Sequence, residues 1–186
     1  MIEAELKARV PDREALVQLL DKLTEARPEV YQDTYYDTAE RALEARDAEL
    51  RVRTVESADG TARTVLTYKS AAVDTASGSK PEHETAVTDP DAVHAVVRGL
   101  GYEPVITFSK HCLNYDIVVR GRRMLATVVQ VPEIDGTFVE VETMTDAEGL
   151  TDALQDVRAF LAGLDINEED LTRELYTDAV RDRRTA

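Results

Sequence analysis

Residues 2–10, IEAELKARV, alternate without a break between apolar and charged side chains. Ile2, Ala4, Leu6, Ala8 and Val10 share one side; Glu3, Glu5, Lys7 and Arg9 share the other. Successive side chains of a strand point to opposite faces, so the spacing predicts a strand with one apolar and one fully charged face. The same pattern returns downstream. AELRVRTV (48–55) sets Leu50 and Val52 against Glu49, Arg51 and Arg53, and TFVEVET (137–143) alternates again around Glu140 and Glu142.

Working outward from these strands, EVYQDTYYD (29–37) reads as a Tyr-rich strand, and 39–47 as a short helix or loop. Ala58-Asp59-Gly60 is a turn signal that makes ARTVLTYK (62–69) the returning arm of a hairpin. Residues 70–79 read as a flexible loop and KPEHETAV (80–87) as a strand. Residues 102–119 predict a long strand, which Gly121 turns into RMLATVVQV. Helices are expected after Asp12, with Ala15, Leu16, Leu19, Leu20 and Leu23 as the helical stripe, and from Asp89-Pro90 to Gly99. Two more are expected, from a cap at Thr145 or Asp146 to Leu164 and from Glu168 to Val180, followed by a frayed tail of about six residues. About eight strands joined mostly by short turns favour antiparallel pairing, and eight can close into a barrel. The fold class expected is therefore α+β: one domain over 1–186, built on a closed or nearly closed eight-stranded antiparallel barrel with flanking helices.

Composition narrows the partners. With 37 Asp+Glu against 22 Lys+Arg, the net charge of −15 argues against nonspecific binding to nucleic acid or to an anionic membrane. A local basic pocket inside an acidic shell is still compatible with an anionic small molecule. The single cysteine, Cys112, forms no internal disulfide, which suits a reducing compartment. No apolar stretch approaches the roughly 20 residues of a membrane span, and no signal-peptide pattern is visible, so a cytoplasmic location is expected.

The position of the charges carries the chemistry. Charged residues recur at i, i+2 on separate strands: Glu3-Glu5-Lys7-Arg9, Arg51-Arg53, Lys80-Glu82-Glu84 and Glu140-Glu142. One reading is a wet sheet with a charged outer face. The other turns these faces into a barrel, where charges must pair or meet a charged ligand. In that reading Lys7, Arg9, Arg51, Arg53, Lys69, Lys80 and Lys110 would take phosphate oxygens. Glu3, Glu5, Glu82, Glu84, Glu140 and Glu142 would hold Mg²⁺ or Mn²⁺, hard cations that prefer oxygen.

The opening IEAELKAR resembles the E-x-E-x-K signature of the CYTH (triphosphate tunnel) family, with Glu3, Glu5 and Lys7 in its three places. QDTYYD (32–37), LRVR (50–53), LTYK (66–69), KPEHE (80–84), LGYEPVITFSK (100–110), GTFVEVE (136–142) and TRELYTDAV (172–180) are similar to family segments in the same order. The resemblance implies a tunnel of eight antiparallel strands acting on triphosphates. Hydrolysis of inorganic, thiamine or nucleoside triphosphate is the first expectation, with Glu3, Glu5 and Lys7 as catalytic residues. The alternatives are cyclisation of ATP to cyclic AMP and pyrophosphate, as in class IV adenylate cyclases, and a non-catalytic binder of phosphorylated ligands; either a monomer or a homodimer would serve.

Two positions depart from the family pattern: Cys112 stands where an arginine is usual, and Gln130 aligns with an aspartate. Both losses are expected to retune the substrate or weaken turnover. Cys112 has no His–Asp pair placed to make it a nucleophile, and His83, His94 and His111 lack a metal-ligand spacing. Tyr31, Tyr35 and Tyr36 read most simply as strand packing, and Arg120, Arg122 and Arg123 as solvent-facing residues at a turn.

Overall fold

In a computed structural model that describes all 186 residues, eight strands form: β1 (Ile2–Arg9), β2 (Arg27–Asp37), β3 (Glu49–Ser57), β4 (Ala62–Lys69), β5 (Lys80–Val87), β6 (Glu103–Val119), β7 (Arg122–Gln130) and β8 (Phe138–Thr145). They close into an antiparallel barrel in the circular order β1-β5-β4-β3-β2-β6-β7-β8. β1 pairs along its whole length with β8, from Ile2↔Thr145 to Arg9↔Phe138. Against β5 it pairs only at Ile2↔Pro81 and Glu3↔Lys80, so closure rests on a short seam. Arg120 and Gly121 both adopt positive φ (51° and 83°), which is the two-residue turn that matches strand twist between β6 and β7.

Four helices flank the barrel: α1 (Arg13–Leu20), α2 (Pro90–Gly99), α3 (Leu150–Ala162) and α4 (Tyr176–Thr185). Asp12 and Asp89 cap the first two, each accepting from the backbone N–H three residues on at 3.0 Å. The apolar strand faces point outward, under the helices. Leu6 and Ala8 of β1, Val139 and Val141 of β8, Ala126 and Val128 of β7, and Tyr115 and Ile117 of β6 pack on Leu16 and Leu20 of α1 and Val157 and Leu161 of α3. Each such fully buried aliphatic side chain stabilises the fold by about 1.5–3 kcal/mol. On the opposite flank Tyr36 and Val52 pack on Val97 of α2. With these apolar faces covered outside by the helices, the charged faces line the barrel, together with an inward apolar layer that includes Tyr31, Val129 and Phe138.

Three C-terminal expectations fail. α3 begins at Leu150, because β8 runs on to Thr145 and Asp146 accepts from Gly149 N–H in a turn. The segment expected as one helix from Glu168 is a short 3₁₀ turn (Glu168–Asp170) followed by extended chain before α4. There, Leu171 bridges to Ala8 and Thr172 N–H bonds to the Lys7 carbonyl, so pairing with the end of β1 replaces helix. The tail does not fray. α4 continues to Thr185, and Arg184 binds Glu133 with two hydrogen bonds and the Thr107 carbonyl with a third.

Candidate active site

The barrel encloses a cavity of about 520 Å³, within the range of small-molecule sites. Its lining includes Glu3, Glu5, Lys7, Arg51, Arg53, Lys69, Lys80, Glu82, Glu84, Lys110, Glu140 and Glu142. The inward alternation of six strands brings these twelve together. Arg9 is the exception. It is the last residue of β1, beyond the cavity, where it pairs with Glu174 and lies over the Phe138 ring.

The acids separate into three environments. Glu3, Glu5 and Glu142 form one cluster, with an oxygen of each within 4.8 Å of the others. Burial is the largest influence on Glu5, and Glu140 and Glu3 add to it, so its carboxyl is pushed up to about 7. Glu142 is raised further, again by burial first and then by Glu3 and Glu5. Three hard oxygen donors, of which only Glu3 has an ion-pair partner, Lys69, fit a small divalent cation. The other acids are engaged elsewhere. Glu82 Oε2 sits 3.0 Å from Lys69 Nζ without hydrogen-bond alignment, and Lys69 also pairs with Glu3. Glu84 accepts from Thr67 Oγ1 at 2.9 Å near the solvent-open rim. Glu140 lies 3.8 Å from Lys110 Nζ; burial works against its charge, but Lys110 and Lys7 outweigh that and hold the carboxyl down. The expected ligand set of six thus divides: three in the cluster, Glu82 and Glu140 beside lysines, and Glu84 on a threonine hydroxyl.

The bases differ in the same way. Lys80 is committed to the Asp47 carbonyl, the Asp47 carboxylate (2.9 Å) and Glu49 (2.7 Å). Arg53 is committed to Asp33 through Nε at 2.6 Å and a terminal nitrogen at 2.7 Å. Lys7 and Arg51 join no ion pair. Lys7 donates to the Glu174 carbonyl and sits over the Tyr176 ring, 4.4 Å from its centre; Lys110 lies at 4.7 Å from the same ring. Arg51 is buried, donates to Thr67 Oγ1 at 3.4 Å, stands opposite the Tyr35 phenol, and has an Nε with no partner. Asp33, fully buried on β2, was not among the expected site residues. It lies in a Tyr-rich strand, where only the register with Arg53 reveals it.

The two departures from the family pattern lie in different settings. Cys112 points inward into an apolar layer with Tyr31, Val129 and Phe138, and burial pushes its thiol up to about 12. Gln130 points outward; the inward residues of β7 are Leu125, Thr127 and Val129. The alternation is fixed by pairing, since Val129 is the ladder partner of Cys112 and Gln130 that of exposed His111. The strand therefore gives the cavity no acid, but Gln130 is not where one is lost.

A sequence model of the CYTH domain matches residues 1–176. The chain belongs to the CYTH family. The CYTH chain is 24% identical over 181 residues to the "Putative adenylate cyclase MJ0240" of Methanocaldococcus jannaschii, covering 96% of its own length and 98% of that protein. Among solved structures it is similar to the PH1819 protein of Pyrococcus horikoshii OT3, with a TM-score of 0.85, 25% identity, and 98% and 99% of the two chains covered. It shares the fold of the adenylyl cyclase-like HpAC1 of Hippeastrum, described as having a dominant triphosphatase activity (TM-score 0.67, 20% identity, 98% and 96% covered). No helix is long and apolar enough to cross a membrane.

Proposed function

We propose that this CYTH protein is a divalent-metal-dependent hydrolase acting on a triphosphate held inside the barrel. One observation carries the reading: an under-compensated carboxylate cluster (Glu3, Glu5, Glu142) shares one cavity with cations that lack carboxylate partners (Lys7, Arg51). A metal–triphosphate complex has the charge distribution that satisfies both. The three glutamates would hold Mg²⁺ or Mn²⁺, which would supply positive charge to phosphate oxygens. Lys7, Arg51 and Lys110 would bind the phosphate chain and meet the charge that develops on it as water attacks the terminal phosphorus and the remaining diphosphate leaves. Their positions are fixed by strands and by the Tyr176 ring, so little reorganisation accompanies reaction.

The triphosphatase activity described for the Hippeastrum protein supports hydrolysis. The name of the Methanocaldococcus relative favours a second reading, cyclisation of ATP. The two chemistries share the cavity and differ in the nucleophile and the phosphorus attacked. The test is product analysis after incubation with inorganic triphosphate, thiamine triphosphate or ATP, each with Mg²⁺ or Mn²⁺. Free phosphate supports the hydrolase. Cyclic AMP with pyrophosphate replaces it with the cyclase, and bound but unaltered ligand makes the protein a binder.

A further inference from the structure

The two arginines of the β3 inner face are two residues apart, and cross-strand register gives them different neighbours. Arg53 stands opposite Asp33, and Arg51 opposite Tyr35. Asp33 is fully buried and engages Arg53 through both carboxylate oxygens, at 2.6 and 2.7 Å. The Arg53 guanidinium also lies over the Tyr31 ring, 4.4 Å from its centre. Its charge is cancelled, and two of its donors are used within the wall. At the next inward step β2 supplies Tyr35 in place of an acid. Arg51 therefore has no carboxylate within ion-pair reach, and its Nε is buried without a partner. A buried guanidinium in that condition is poised for an incoming anion.

We propose that Asp33 is a positioning residue: it holds Arg53 in the wall and leaves Arg51 as the guanidinium that meets the phosphate chain. The assignment rests on the triphosphate reading of this cavity. It makes the two residues of the Arg-x-Arg pair unequal. The uncommitted positive charge comes from Arg51 and Lys7, with Lys110 loosely held by Glu140 at 3.8 Å. Arg53 acts as a strut whose register is set by Asp33.

The test is titration calorimetry of the full chain with inorganic tripolyphosphate and Mg²⁺. Arg51→Gln is expected to weaken binding by at least about tenfold, the loss of a charge-assisted contact. Arg53→Gln leaves Asp33 as a buried, unpaired negative charge beside the phosphates, and it also weakens binding. Adding Asp33→Asn removes that charge, so the double variant is expected to recover about tenfold over Arg53→Gln. A purely structural role for Asp33 would shift the thermal midpoint without returning affinity. If the double variant binds no better than Arg53→Gln, Arg53 touches the ligand and the assignment is overturned. Should Arg53→Gln fail to fold, the double variant is compared with Arg51→Gln: tighter binding by the double variant supports the assignment, and equal or weaker binding overturns it. Absence of binding by the wild-type chain overturns the triphosphate reading, and this assignment with it. The wild-type isotherm tells the two failures apart.

Discussion

Glu5 and Glu142 face each other directly across the β1–β8 ladder, and neither forms an ion pair. Like charges opposed on one face of a ladder destabilise it. Here the cost is increased by burial and by the nearby Glu3 carboxylate. A strain of this kind is retained where a cation relieves it.

Glu142→Gln is therefore expected to raise the thermal midpoint of the metal-free protein while abolishing its stabilisation by Mn²⁺. Removing one of two opposed carboxylates is worth about 1 kcal/mol, or ~2–4 °C for a chain of this size. Thermal melts of wild type and variant, with and without Mn²⁺, check this. A variant less stable than wild type without metal would contradict it.

The pH dependence follows from Glu5. Burial first, then Glu140 and Glu3, push its carboxyl from the ordinary 4.5 to about 7. Between those values the folded state binds more protons than the unfolded state, so metal-free stability falls as pH rises through this window. Divalent metal competes with the same protons. Its stabilising effect is expected to be larger at pH 8 than at pH 5, as denaturant melts at the two pH values would report.

Asp33 behaves in the opposite sense. Burial alone would raise its carboxyl, but the Arg53 guanidinium overrides this and holds it well below the usual range. Its contribution is present above the ordinary 3.8 and is lost as pH falls toward the depressed value. Asp33→Ala leaves Arg53 buried without a partner and is expected to cost about 3–5 kcal/mol in urea unfolding. A cost below 1 kcal/mol would show that the pair contributes little.

Cys112 is 3% exposed, in an apolar layer, with a thiol pushed up to about 12 first by burial. It is expected to resist iodoacetamide at pH 8 in the folded protein and to react fully in urea, because thiolate and access are both lacking until unfolding. Mass spectrometry of the alkylated chain measures this directly. Cys112→Arg is expected to destabilise the barrel, since the guanidinium would enter the layer of Tyr31, Val129 and Phe138, where the nearby acids Glu29, Asp33 and Glu140 already have partners in Arg63, Arg53 and Lys110.

Much of this fold was legible because strict alternation in β1, β3 and β8 leaves no other secondary structure available. Which face points inward is not carried by alternation, since a two-faced strand suits a wet sheet equally well. The recurrence of same-face acids and bases on separate strands favours the inward reading, the family resemblance adds to it, and it is enforced physically by α1, α2 and α3 covering the outer apolar faces. Partnerships were beyond the sequence. Nothing in QDTYYD says that Asp33 will meet Arg53; the β2–β3 register does. Likewise Arg9 obeys the alternation of β1 but lies past the cavity, a matter of strand length. Gln130 was assigned one residue out of phase, because β7 carries apolar residues on both faces and alternation gives no sign there.

If the charged strand faces surround a metal-assisted triphosphate site, the barrel hydrolyses triphosphate only with a divalent cation present. The most direct measurement is phosphate release from inorganic tripolyphosphate by wild type and by Glu5→Gln, with Mn²⁺ present or chelated. Metal-dependent release is expected from wild type and none from the folded variant. Equal release by both, or neither release nor binding by wild type at any metal concentration, would contradict it.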